Sequence, residues 1–136
     1  MDFENLKILL VGNDSLKIEE LNNALQIIGF HKSRILMAKD QKEAIIFAEL
    51  NSYKEPFDLI IFNFTDAKFA KIIELKNIKK DRYLTDIPVL VVLNKGDDEF
   101  FRNSEEFKKS GLMFKSLISS LSNSEEIKKI IYEALK

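Results

Sequence analysis

Few residues in this chain have the means to do chemistry. Asp14 and Asp66 are carboxylates just beyond short apolar runs, and Asn63, a neutral amide, ends the run 57–63. Hard cations such as magnesium want carboxylate oxygens, so Asp14 and Asp66, with Asn63, are the candidates for a residual ion or small-ligand site. Two acids make a weak ligand set, and Asp is a favoured helix N-cap, so Asp14 is expected to cap a helix and no metal is expected. The chain has no cysteine, which removes disulfides, thiolate metal sites and cysteine nucleophiles. His31 is its one histidine and follows Gly29-Phe30 at a helix-to-strand turn, where a surface position is expected. Ser, His and acid do not fall in a strand-turn-helix nucleophile pattern. Asn94-Lys95-Gly96-Asp97 fits an N-K-x-D pattern of nucleotide-base recognition, yet no G-x-x-x-x-G-K-[ST] exists to cradle phosphates. Gly12 alone is no dinucleotide fingerprint. The expectation is a protein without catalytic residues and without a cofactor.

The elements that would position these residues can be read from the apolar pattern. Residues 7–11 form a short apolar run ending at Gly12-Asn13-Asp14-Ser15, a strand buried on both faces and then a turn. Leu16, Leu21, Leu25 and Ile28 are spaced for a helix that Asp14 or Ser15 can cap and Gly29 can end. Residues 33–37 suggest a second, less apolar strand nearer an edge. Asp40 can cap the next helix, with Ala44, Ile45, Phe47, Ala48 and Leu50 as its inward stripe. Residues 57–63 give the strongest strand signal, a continuous β-prone run suited to the centre of a parallel sheet. A helix over about 67–80 follows, with Phe69, Ile72, Ile73, Leu75 and Ile78 available to pack. Pro88 opens a fourth strand over 89–93, a helix is expected over 97–109, and 112–118 reads as a weaker fifth strand. A last amphipathic helix begins near Ser122 and buries Ile127, Ile130, Ile131, Ala134 and Leu135.

Strand and helix alternate about five times with short connections, which implies one α/β domain over residues 1–136 with a parallel sheet covered on both faces. In such sheets ligands sit beyond the C-terminal strand ends, so chemistry should appear at 12–14, 63–66, 93–97 and after Leu117. The 21 basic and 22 acidic residues give a net charge of -1, so no general attraction to nucleic acid or membrane is implied. The acidic start lacks the basic residues of a signal peptide, and no apolar run approaches the roughly 18 residues of a membrane span. A cytoplasmic location is expected.

Motif by motif, the chain resembles the receiver domains of two-component response regulators, the CheY-like family. KILLVGND with its following helix is similar to the family's opening strand, and AKDQKEAI to its A-x-D-G-x-E-A-L stretch. FDLIIFN resembles the D-L-I-I-x-D phosphoacceptor strand and IPVLVVLN the I-P-V-I-x-x-T-A strand. SGLMF is similar to the Gly-Ala turn before the fifth strand, and SNSEEIKKIIYEAL to the last helix. The resemblance covers essentially the whole chain and implies a flavodoxin-like (βα)5 doubly wound sheet of strand order 2-1-3-4-5. It also implies that the phosphorylation pocket is degenerate. The family's acidic pair falls on Gly12 and Asn13, its nucleophilic aspartate on Asn63 and its sensing Thr or Ser on Leu93. Its Lys-Pro pair has no counterpart, since Ile118 or Ser120 stands there. Asp66-Ala67 and Ala70-Lys71 replace its Met-Pro and Asp-Gly elements.

An amide is a poor nucleophile, Gly12 offers no ligand, Asn13 only a neutral one, and Leu93 can neither donate to nor accept from a phosphate. The expectation is a phosphorylation-independent pseudo-receiver that works in signal transduction through protein contacts. Phe100, Phe101, Phe107 and Phe114 cluster where the family uses its fourth helix, fifth strand and fifth helix to dimerise or dock partners. Phe100 or Phe101 is therefore a candidate contact, with Lys115, Lys128 and Lys129 as a polar rim and a homodimer as one outcome. The basic run Lys76, Lys79, Lys80 reads as a solvated helix face.

Overall fold

A computed structural model describes residues 2–63, 68–92, 116–118 and 124–135, with 68–72 and 116–118 taken as backbone only. Its strands are β1 (Ile8–Val11), β2 (Ile35–Ala38), β3 (Leu59–Asn63), β4 (Val89–Val92) and β5 (Ser116–Ile118). The described helices are α1 (Ser15–Ile27), α2 (Gln41–Asn51), α3 (Lys68–Lys80) and α4 (Ser124–Leu135). The strands form one parallel sheet in the order β2-β1-β3-β4-β5, the doubly wound topology that the alternation and the resemblance imply. The helix expected over 97–109 lies outside the described residues.

Continuous apolar runs become central strands because a parallel sheet covered on both faces hides every side chain. All residues of β1, β3 and β4 are buried, whereas β2, at the sheet edge, exposes Met37. Period-2 alternation divides the strand residues between two cores. Leu9, Val11, Ile60, Phe62, Val89 and Val91 face α2 and α3, packing with Ala44, Ala48, Leu75 and Ile78. Ile8, Leu10, Leu59, Ile61, Leu90 and Val92 face α1 and α4, packing with Leu21, Leu25, Ile127 and Ile131.

The helix ends follow from capping chemistry. Asp14 accepts from Leu16 N at 3.2 Å and Lys17 N at 3.3 Å, and Asp40 accepts from Glu43 N at 2.9 Å. Gly29, at φ +120°, ends α1: its N–H donates to Gln26 O, and Phe30 N donates to Leu25 O. This paired arrangement closes the last turn and requires a left-handed residue, hence glycine.

Three expected core residues lie outside. Leu16, Leu50 and Ile73 are exposed, because each stands two residues from a buried position of its helix (Ile18, Ala48 and Leu75), a rotation of roughly 200° that turns it to the outer face. In α2 and α3 the apolar residues occupy both the inward and the outward face, so spacing alone does not choose between them. β2 also begins later than expected: Lys32–Arg34 form a turn of 3-10 helix capped by His31. A similar turn, Phe3–Asn5, places Phe3 in an aromatic cluster unforeseen from sequence. Phe3 stacks on Phe30 at 4.8 Å and tilts against Tyr132 of α4 at 5.2 Å. No described helix is long and apolar enough to cross a membrane.

Candidate functional site

Register brings the sequence's candidate positions together at the C-terminal edge of the sheet. Val11 lies beside Phe62, and Asn63 lies beside Val92, so Gly12 and Asn63 follow as neighbours at the strand ends. Gly12 N donates to Ala38 O at 2.9 Å, extending the β1–β2 ladder by one step. A Cβ on Gly12 would stand 2.8 Å from Asn63 Cβ and 3.0 Å from Ile18 Cδ1. The Asn63 side chain therefore occupies the space that any larger residue at 12 would need. Asn63 is 3% exposed, and its Oδ1 has no hydrogen-bond partner among the described residues.

Beside this pair, an open groove of about 250 Å³ runs between the starts of α1 and α2. Gly12, Asn13, Ile18, Met37, Lys39 and Glu43 line it; Asn63 is not among its walls. Lys39 and Glu43 approach to 4.0 Å across its rim, an exposed pair that contributes little to stability. Asp14 is committed to the α1 cap, its Oδ1 accepting both backbone N–H groups. Among the described residues no three of His, Cys, Asp and Glu converge on one point. The arrangement can hydrogen-bond through an amide, and the described part offers a hard cation no set of carboxylates.

Several candidate residues, Asp66, Leu93, Ser120, Phe100, Phe101 and Lys115, lie outside the described residues. Ile118 is described by its backbone, which pairs with Val92 on β5. Lys128 and Lys129 sit on α4 with Glu125, Tyr132 and Glu133 around an open groove of about 530 Å³. Lys128 approaches Glu125 to 4.0 Å. His31 is exposed, and its Nδ1 accepts from Ser33 N at 3.2 Å, with Ser33 Oγ at 2.7 Å. That bonding is local and caps the turn before β2.

Among the described residues, the ionisable groups with shifted titration lie away from the strand ends. Arg34, hydrogen-bonded and close to Glu55, holds that carboxyl below its ordinary range. Burial pulls the Lys79 ammonium down from its ordinary value. Lys79 nevertheless donates to Thr85 O at 2.9 Å and Ile87 O at 2.8 Å, so it ties down the approach to β4 instead of belonging to a solvated face.

No family model matches the chain, and no curated protein matches it. Solved structures do. The chemotaxis protein CheY4 of Vibrio cholerae matches with a TM-score of 0.71 at 21% identity, over 96% of this chain and 98% of that one. A response regulator receiver domain protein from Clostridium thermocellum matches with a TM-score of 0.69 at 18% identity, over 96% and 94%. The receiver domain of a sensor histidine kinase from Pseudomonas aeruginosa, with magnesium coordinated in its active site cleft, gives 0.66 at 15% identity, over 96% and 97%. At these identities the likeness speaks for architecture alone, and it extends over nearly the whole length of both chains. This chain has the fold of the response regulator receiver domains.

Proposed function

We propose that this protein is a non-catalytic signalling module of receiver type, acting in the cytoplasm through protein contacts and without accepting a phosphoryl group. The observation that carries this reading is the fit of Asn63 over Gly12. Phosphoryl transfer to a side chain needs an ionised nucleophile and a metal held by nearby carboxylates. At the end of β3 stands a buried neutral amide, and at the end of β1 a residue whose Cβ alone would meet Asn63 at 2.8 Å. An acid introduced at 12 would collide with that amide before it could reach a metal. Asp14, two residues beyond Gly12 in the chain, is used as a helix cap.

Acetyl phosphate or beryllofluoride with magnesium tests the proposal, read by intact mass and by amide NMR shifts. The expected result is no adduct and no response at Gly12, Asn13 or Asn63, in the native chain and in Asn63→Asp alike. A stoichiometric phosphoryl adduct on the native chain would overturn the reading. A second reading is a small-ligand sensor using the remodelled pocket around Asp14, Asn63 and Asp66; a ligand would have to open the strand ends to reach Asn63 Oδ1, which is buried and has no hydrogen-bond partner among the described residues.

A further inference from the structure

We draw no further inference here: the strongest candidate, the exposed apolar surface patch of Ile46, Leu50 and Tyr53 along and just past α2, carries nothing because nothing in the structure shows what covers it.

Discussion

Gly12 and Asn63 sit on neighbouring strands and fit each other at contact distance. Glycine is needed at 12 for space, because Asn63 Cβ and Ile18 Cδ1 would crowd any Cβ there. Gly12→Ala should therefore cost about 1–3 kcal/mol, the usual range for overpacking. Asn63→Ala keeps the offending carbon and should not relieve the strain, whereas Asn63→Gly removes it. In urea unfolding, the Gly12→Ala/Asn63→Gly double variant should lose clearly less than the sum of its two single variants. Additive losses would mean that the two positions do not meet as described. The identities of Gly12 and Asn63 were legible as departures from the family's pattern. Their mutual fit was not, because they are far apart in sequence and only sheet register brings them together.

At the scale of elements, capping signals were the most legible part of the chain. Asp14, Asp40 and Gly29 each stand where local chemistry needs them, and such bonds span only a few residues. Asp14 also tests whether a carboxylate at the strand end serves the helix or a bound cation. Asp14→Ala should cost about 1 kcal/mol, and Asp14→Asn should be close to neutral, since asparagine caps as well as aspartate. If Asn were as damaging as Ala in thermal unfolding, the charge itself would be at work. Helix faces were less legible. Leu16, Leu50 and Ile73 read as part of their helices' apolar faces yet lie outside, because α1 packs through Ile18, Leu21 and Leu25 and α2 through the small residues Ala44 and Ala48. With alanines at the contact, the larger apolar residues of α2 remain on its flanks and outer face.

Across the whole molecule, the two chain ends meet through aromatic contacts. Phe3 is buried between Phe30, just after α1, and Tyr132 on α4, so one short turn ties the chain's start to its last helix. Phe3→Ala should destabilise the protein by about 3–5 kcal/mol, with α4 amides losing hydrogen-exchange protection first. Unchanged protection across α4 would show that the cluster is not what holds that helix. Sequence alone determined the order of elements, the caps, the burial of β1 and the central position of β3, because these follow from local bonding and from the run of apolar residues along one segment. Tertiary structure alone decided which helix faces are covered, where Phe3 goes and how closely Asn63 lies over Gly12. Those depend on contacts between segments distant in sequence, which no local spacing encodes.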